Sequence, residues 1–264
     1  MTDVLTPLDG LHVTEHGSSS SAPTVLLLHG IGGSARSCAP LADEVAERGG
    51  HAWCLDAAGY GDSADPTGTY HDFVADVLRV ADSVSPERPV VILGTSWGGV
   101  VATATALRRP DRIAGLVLAD STRGSGTSPD KAEAMRARVQ EMAIQGADAI
   151  AAERAPRLVA PEADPTVAQK VHRSMASLRH GGFAAAAEYM ASTDHGPVLR
   201  KITCPTLVLV GEHDVVTGVE ESRLLAERIP DAQLHIIDDA GHVAIQEQPA
   251  VVAALVADFL EGLS

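Results

Sequence analysis

Short apolar runs recur along the chain, and each is closed by glycine, proline or charged residues. Runs of four to seven residues without polar alternation predict strands that are buried on both faces, as in a parallel sheet. Longer segments between them carry apolar residues at helical spacing. Strands that alternate with helices indicate right-handed βαβ units, and therefore an α/β fold with a mostly parallel, doubly wound sheet. The runs are 24–28 (TVLLL), 52–55 (AWCL), 90–93 (VVIL), 113–119 (IAGLVLA), 206–210 (TLVLV) and 234–237 (LHII).

Two further features complete the predicted sheet and its helices. Residues 11–15 (LHVTE) are expected to form a first antiparallel strand, with Ser18 to Ser21 as its hairpin loop. Four apolar sets indicate the faces that the helices bury. These sets are Leu41, Val45 and Ala46; Phe73, Val77 and Val80; Leu224, Leu225 and Ile229; and Val251, Leu255 and Phe259.

One block interrupts this alternation. From about Thr122 to Pro197 the strand-like runs vanish, and the sequence becomes helical and rich in Ala, Arg and Glu. A block of this length is short for an independent hydrophobic core. We therefore predict an α/β core formed by residues 1–121 and 198–264, and a helical cap formed by residues 122–197.

Composition narrows the classes of partner. The chain has 264 residues, a formal net charge of −15 and only 3% aromatic residues. Such a negative field repels nucleic acids and anionic membranes, and no apolar run approaches the ~18 residues of a membrane span. The three cysteines are odd in number and are expected to be reduced thiols, and the N-terminus lacks a signal-peptide pattern. We expect a cytoplasmic protein with a small-molecule substrate and no nucleic-acid or membrane partner.

Ser96 is the first candidate for chemistry. It lies in the pentapeptide GTSWG, between the apolar run VVIL and the helical segment VVATATAL. Gly94 and Gly98 permit a strained backbone and close packing around the serine. A serine at a strand–turn–helix junction of this kind is typical of a nucleophile elbow.

A serine hydroxyl needs donors that stabilise the oxyanion formed by its attack. The loop HGIGG at 29–33 follows a predicted strand directly, so the amide of Ile31 can face Ser96. The amide of Trp97, at the start of the next helix, is the expected second donor. The loop lacks the G-x-G-x-x-G pattern and the later acidic residue of a dinucleotide site. We expect no cofactor and no metal.

The base and the acid follow from their positions at strand ends. His242 follows the run 234–237, and Asp214 follows the run 206–210, so both lie at the carboxyl edge of the predicted sheet. Asp120 follows the run 113–119 and is the alternative acid; its alternative role is to cap the start of the insertion. The chain order Ser96, Asp214, His242 agrees with that of the α/β-hydrolases.

These motifs together resemble the α/β-hydrolase superfamily over nearly the whole chain. HGIGG, DAAGYGDS, GTSWGG, GEHD and AGH…EQP occur in the family's order. Within the superfamily the chain is most similar to 3-oxoadipate enol-lactonases and related esterases, through RRPDRIAGLVLADS and ITCPTLVLVGEHD. The resemblance implies a cap inserted after the family's sixth strand, and a cofactor-free serine hydrolase that cleaves a small ester or lactone. A homodimer is suggested by the resemblance alone.

Departures from the family pattern keep alternatives open. Thr95 precedes the serine, where carbon–carbon bond hydrolases of ring-cleavage pathways commonly have asparagine. Such a hydrolase is one alternative, and a non-enzymatic small-molecule receptor of the same fold is another. The residues named for substrate contact are His29, Gly30, Trp97 and Arg123. Arg154, Arg157 and Arg173 of the cap are further candidates to bind a substrate carboxylate, although an exposed helix face explains all four arginines as well.

Overall fold

The sheet places the ends of its parallel strands along one edge. The computed structural model describes residues 8–18, 23–66 and 70–263. In these residues the sheet has seven strands in the order β1-β3-β2-β4-β5-β6-β7, and every neighbouring pair except β1 with β3 is parallel. The strands are β1 His12–Gly17, β2 Val25–Leu28, β3 His51–Asp56, β4 Val90–Thr95, β5 Ile113–Ala119, β6 Thr206–Gly211 and β7 Gln233–Ile237.

The central strands are buried on both faces, which confirms the α/β fold class predicted from the uninterrupted apolar runs. Every residue of β2, β4 and β6 is buried. Alternate side chains enter two separate clusters: Leu26 and Ile92 pack on one face, and Leu27 and Leu93 pack on the other. Helices on both sides of the sheet exclude water from these strands.

The predicted hairpin after the first strand is wrong. β1 pairs with β3 rather than with the next strand β2, in a register that sets His12 opposite Asp56. Ser18 follows the strand, but residues 19–22 lie outside the described part of the chain. The sequence locates the strand correctly, whereas its partner depends on contacts between distant residues.

Helices cover the sheet and form the inserted block. One face of the sheet packs mainly against α2 and α3, and the opposite face against α1 and α10. The helices are α1 Ala35–Glu47, α2 Phe73–Val84, α3 Trp97–Arg108, α4 Pro129–Gln145, α5 Ala147–Arg154, α6 Pro165–Ala176, α7 His180–Ser192, α8 Gly218–Arg228, α9 Ala244–Glu247 and α10 Pro249–Glu261.

The buried face of α10 agrees with the predicted one at Phe259, which is buried, but not at Val251. Val251 is 47% exposed, whereas Val252 and Val256 are fully buried against the sheet. Because PAVVAALVADFLE is apolar around most of its circumference, periodicity alone does not select the face.

The block between β5 and β6 is helical and has small apolar clusters of its own. Ala151 and Met175 belong to one of them, and Phe183 belongs to another. Ala186 and Met190 of α7 instead join the main core, so the block depends on the sheet for part of its burial. The boundaries at residues 122 and 197 stay a prediction.

Other expectations concern the thiols and membrane spans. Cys38, Cys54 and Cys204 form no disulfide, as predicted. Within the described ranges, no helix has both the length and the apolar character needed to cross a membrane.

The observed face of α10 predicts unequal costs for two neighbouring substitutions. Val252→Ala removes two buried methyl groups and should lower the free energy of unfolding by about 2 kcal/mol. Val251→Ala is the matched control and should change it by less than about 0.5 kcal/mol. Urea unfolding of the two variants measures both values, and equal losses would contradict the observed orientation of the helix.

Candidate active site

Ser96 lies on a strained turn between β4 and α3. Its backbone has φ 53° and ψ −118°, and a positive φ is uncommon for residues other than glycine. The backbone amide of Ser96 donates to the carbonyl of Ala119 at 2.9 Å, and the hydroxyl of Ser121 donates to the carbonyl of Ser96 at 2.9 Å. These bonds to the end of β5 fix the turn.

The two glycines of the pentapeptide are required by close packing. A Cβ added to Gly94 would lie 2.4 Å from the backbone of Gly98, and one added to Gly98 would lie 2.4 Å from the carbonyl oxygen of Leu28. The start of α3 can therefore approach the ends of β2 and β4 only without side chains at these positions.

The structure brings the three residues of the predicted triad together. The Nε2 atom of His242 lies 3.0 Å from the Oγ atom of Ser96. The Nδ1 atom of His242 lies 3.0 Å from the Oδ2 atom of Asp214. A carboxylate at Nδ1 favours the tautomer with its proton on that nitrogen, which leaves Nε2 free to accept the serine proton.

Asp214 is held by donors of its own loop. Its Oδ1 atom accepts the amides of Val216 at 2.7 Å and Thr217 at 3.1 Å, and its Oδ2 atom accepts the hydroxyl of Thr217 at 2.6 Å. Burial alone would raise the pKa of Asp214, but the hydrogen bond and charge of His242, together with these donors, lower it to about 2. The carboxylate is therefore ionised at neutral pH.

The imidazole of His242 is buried between two carboxyl groups. Burial alone lowers the pKa of His242, whereas its hydrogen bond to Asp214 and the charges of Asp214 and Asp120 raise it, and the result lies above the ordinary value of 6.5. The two carboxyl groups thus favour the imidazolium form that arises when the histidine accepts a proton, against the effect of burial.

Asp120 has a different place from the one expected of an acid. Its Oδ1 atom accepts the amide of Gly211 at 2.8 Å, and its Oδ2 atom accepts the amide of Ala244 at 3.1 Å. It therefore ties the end of β6 to the segment after His242, and Asp214 takes the position beside Nδ1. It does not cap the insertion either. Burial raises the pKa of Asp120 to about 7.

The predicted oxyanion donors lie beside the serine. Gly30 approaches Ser96 so closely that an added Cβ would lie 3.3 Å from the serine Cβ. The turn that carries Ile31 is closed by a 2.8 Å bond from the amide of Gly33 to the carbonyl of Gly30. Trp97 is the first residue of α3, where a backbone N–H has no acceptor within the helix. Their role as oxyanion donors stays a prediction.

A cavity of about 450 Å³ opens at the triad. Its size falls within the range of small-molecule sites, about 300–1,000 Å³. Ser96 and His242 lie at its base, and the wall opposite is built from the inserted helices. Residues that line it include Gly30, Ile31, Trp97, Ser125, Lys131, Met135, Arg138, Arg154, Arg157, Val171, Met175, Val215, Glu221 and Val243.

Two residues predicted to contact substrate do not line this cavity. His29 is buried; its Nδ1 atom lies 2.7 Å from the carbonyl of Gly30, and its Nε2 atom accepts the amide of Ala57 at 3.2 Å. Burial lowers the pKa of His29, so it braces the loop as a neutral ring. Arg123 is bound to Glu221 through Nε at 2.8 Å and Nη2 at 3.1 Å. Local bonds therefore occupy both side chains, and the cavity lining does not support their predicted contact with substrate.

The other candidates divide between the cavity and the remaining surface. Gly30 and Trp97 line the cavity, and so do Arg154 and Arg157, whereas Arg173 lines a separate surface pocket. The indole of Trp97 packs against Tyr60, with ring centroids 5.6 Å apart, and edge-on against Phe73 at 4.9 Å.

Sequence reasoning missed the cations of α4. Lys131, Met135 and Arg138 all line the cavity, and their i, i+4 and i+7 spacing places them on one face of the helix. That spacing was a usable signal for a shared face. It did not show that the face points toward Ser96.

Groups of side chains that could ligate a metal lie elsewhere. In the described ranges, His12, Asp56 and Asp62 form one group and Glu212, His213 and Asp239 another, each with ligand atoms within 4.8 Å. None of these six residues lines the cavity. Asp56 already accepts the amide of Ala35 at 2.6 Å and contacts His12 at 2.8 Å, which explains the first group without a metal.

A parallel sheet with an elbow serine after β4 and a histidine after β7 defines an α/β-hydrolase. The chain belongs to the α/β-hydrolase family described as serine aminopeptidase S33, which matches residues 19–249. The predicted resemblance to this superfamily is thereby confirmed.

Known relatives include several hydrolases. The chain is 30% identical over 201 residues to 3-oxoadipate enol-lactonase 2 of Acinetobacter baylyi, covering 74% of this chain and 73% of the relative. It is 30% identical to a 2-hydroxy-6-oxononadienedioate/2-hydroxy-6-oxononatrienedioate hydrolase of Cupriavidus pinatubonensis, covering 95% of this chain and 90% of that one. The solved structure of a thermophilic esterase of Thermogutta terrifontis, with malate bound, has a TM-score of 0.88 at 30% identity and covers 96% of this chain and 93% of its own.

The contacts of His242 predict how its pKa responds to loss of the carboxylate. In the unmodified protein it should titrate above 6.5. Asp214→Asn removes the charge that raises the pKa and leaves at most a hydrogen bond to a neutral group, so burial dominates and the pKa should fall below 6.5. NMR titration of labelled histidine side chains measures both values. Asp238→Asn, an exposed change that follows β7, is the control; an unchanged pKa in Asp214→Asn would contradict the geometry.

Proposed function

We propose that this protein is a serine hydrolase that cleaves a small-molecule carboxylic ester or lactone through an acyl-enzyme at Ser96. The continuous hydrogen-bond chain from Ser96 through His242 to Asp214 carries the proposal, because it ends at a cavity of small-molecule size. An activated serine needs a base within reach and a group that orients the base, and both are present.

Acylation uses Nε2 of His242 as the base. This atom takes the proton of Ser96 while Oγ attacks the carbonyl carbon of the substrate. The carbonyl oxygen becomes an oxyanion that the amides of Ile31 and Trp97 stabilise by hydrogen bonds. The tetrahedral intermediate then expels the alcohol oxygen, which receives the proton from His242, and the acyl group stays on Ser96.

Deacylation repeats these steps with water. His242 removes a proton from a water molecule, and the oxygen of that water attacks the acyl carbon. The second tetrahedral intermediate expels Ser96, which regains its proton from His242, and the carboxylic acid leaves. Asp214 stabilises the imidazolium at each stage, consistent with its low pKa. The steps require no cofactor.

The relatives support an ester or lactone as the bond cleaved. One is an enol-lactonase and another is an esterase, and each is 30% identical to this chain. The relative from Cupriavidus pinatubonensis, a hydrolase of 2-hydroxy-6-oxononadienedioate, favours a second candidate, a carbon–carbon bond hydrolase. Thr95 before the nucleophile favours an ester or lactone hydrolase, because carbon–carbon bond hydrolases commonly have asparagine at that position. A location in the cytoplasm and a homodimer stay predictions.

Removal of the nucleophile tests the proposal. Ser96→Ala should lower kcat for short p-nitrophenyl esters by about 10⁴- to 10⁶-fold, since it removes the hydroxyl that forms the acyl-enzyme. Ser192→Ala, an exposed change at the end of α7, is the matched control and should retain full activity. Stopped-flow absorbance of released nitrophenol gives both rates.

The same assay separates the rival functions. Faster turnover of a vinylogous diketone than of any aryl ester or lactone would favour the carbon–carbon bond hydrolase. Binding of these compounds without turnover would indicate a receptor. Retention of most esterase activity in Ser96→Ala would overturn the assignment of the nucleophile.

A further inference from the structure

The cap wall of the cavity carries positive charge that ester cleavage at Ser96 does not use. Among the described residues that line the cavity, Lys131, Arg138, Arg154 and Arg157 are cationic, and Glu221 is the one acid. Glu221 is already bound by an arginine outside the cavity. The whole chain has a formal charge of −15, so this local excess of cations runs against its composition. Such a wall attracts an anion.

Arg138 is the most unusual of these cations. Its Nε atom is buried and lacks a hydrogen-bond acceptor anywhere in the described chain. Its side chain makes weak contacts: Nη1 lies 3.5 Å from the sulfur of Met135, and the guanidinium carbon lies 5.6 Å from the centre of the Phe183 ring. Arg138 is half-buried and forms no ion pair within the described chain, although the charge of Glu141, which Arg154 binds, raises its pKa. An unpaired guanidinium group at such a site is costly, and a ligand carboxylate removes this cost.

Arg154 also carries a buried donor without an acceptor in the described chain. Its Nη2 atom binds Glu141 at 2.7 Å, but its Nε atom is also buried without an acceptor among the described residues. Burial and the neighbouring charge of Arg154 lower the pKa of Arg138 to about 10, so the Arg138 guanidinium group stays charged at neutral pH. Two adjacent cations with unbonded donors form a site for one carboxylate.

Two other arginines of the cap, unlike Arg138, are each paired with an acid. Arg136, two residues before Arg138 on α4, binds Glu188 through Nε at 2.8 Å and Nη2 at 2.9 Å. Arg179 likewise binds Asp65 at 2.7 Å. Arg138 is an exception to this pairing, and it is the one of the three that lines the cavity.

We propose that Arg138, assisted by Arg154, binds a carboxylate of the substrate, so that the ester or lactone opened at Ser96 is an organic anion. This inference rests on the proposed function of Ser96. A guanidinium group recognises a carboxylate through two parallel hydrogen bonds. Met135, Met175 and Val171 line the same cavity and supply apolar contacts for the carbon chain between the carboxylate and the scissile carbonyl.

The test compares charged and neutral substrates of the same shape. The substrates are p-nitrophenyl half-esters of linear dicarboxylic acids of increasing length. Each is paired with its methyl ester, in which the second carboxyl group is esterified and therefore uncharged. At the best chain length the unmodified protein should prefer the half-ester in kcat/KM by about ten- to hundredfold, the effect of one charge-assisted bond. In Arg138→Met this ratio should fall by about tenfold, to the part that Arg154 supplies.

Two further variants exclude simpler explanations. Arg138→Lys keeps the charge but loses the planar fork, so it should restore part of the preference. Arg136→Met removes an exposed cation from the same helix and should keep the full preference, which controls for net charge. Thermal melting monitored by circular dichroism checks that each variant folds. If Arg138→Met does not fold, free dicarboxylates should still inhibit the unmodified protein more strongly than their monomethyl esters.

The outcomes separate this inference from the proposed function. If the unmodified protein hydrolyses neither member of any pair, the proposed hydrolase function fails. If it hydrolyses the neutral esters but shows no preference for the half-ester at any length, the carboxylate site alone is overturned. A preference that persists undiminished in folded Arg138→Met also overturns the role of Arg138.

Discussion

The hydrogen bonds of His242 are the interaction on which the rest of the site depends. This imidazole joins Ser96 at the end of β4 to Asp214 after β6, although the three residues are far apart in the chain. A parallel sheet makes the contact achievable, because all strand ends lie along one edge. Gly94 and Gly98 then allow the start of α3 to pack closely against the ends of the strands, and this places Ser96 within hydrogen-bond reach of His242.

Buried charge is the main cost of this arrangement, and backbone amides offset it. Asp214 and Asp120 both lie beneath His242, and each accepts two backbone N–H groups. Asp120 joins the end of β6 to the segment after His242, so it positions the loops that carry the acid and the base. Glu247 likewise accepts two backbone amides, that of Ala160 in the cap at 2.7 Å and that of Gly241 at 2.8 Å. Hydrogen bonds therefore connect the cap, the loop that carries His242 and the carboxyl ends of the strands.

The sequence predicted those features that depend on local pattern and chain order. Uninterrupted apolar runs located the parallel strands, and turn residues after them located Ser96, Asp214 and His242. Features set by distant contacts were not predictable. The partner of β1 lies beyond the following strand, and α10 is too apolar for its periodicity to separate Val251 from Val252. The sequence pattern does not distinguish the surroundings of Arg123 from those of Arg138. Only the packing shows that Glu221 pairs with Arg123 and that Arg138 lines the cavity.

The proposal that Ser96 is the activated nucleophile rests on its contact with His242. Its most direct test is reaction of the folded protein with a fluorophosphonate, which traps activated serines covalently, followed by peptide mapping with mass spectrometry. A single adduct, located on Ser96, is expected. An adduct on a different residue, or the lack of any adduct on protein that hydrolyses aryl esters, would contradict it.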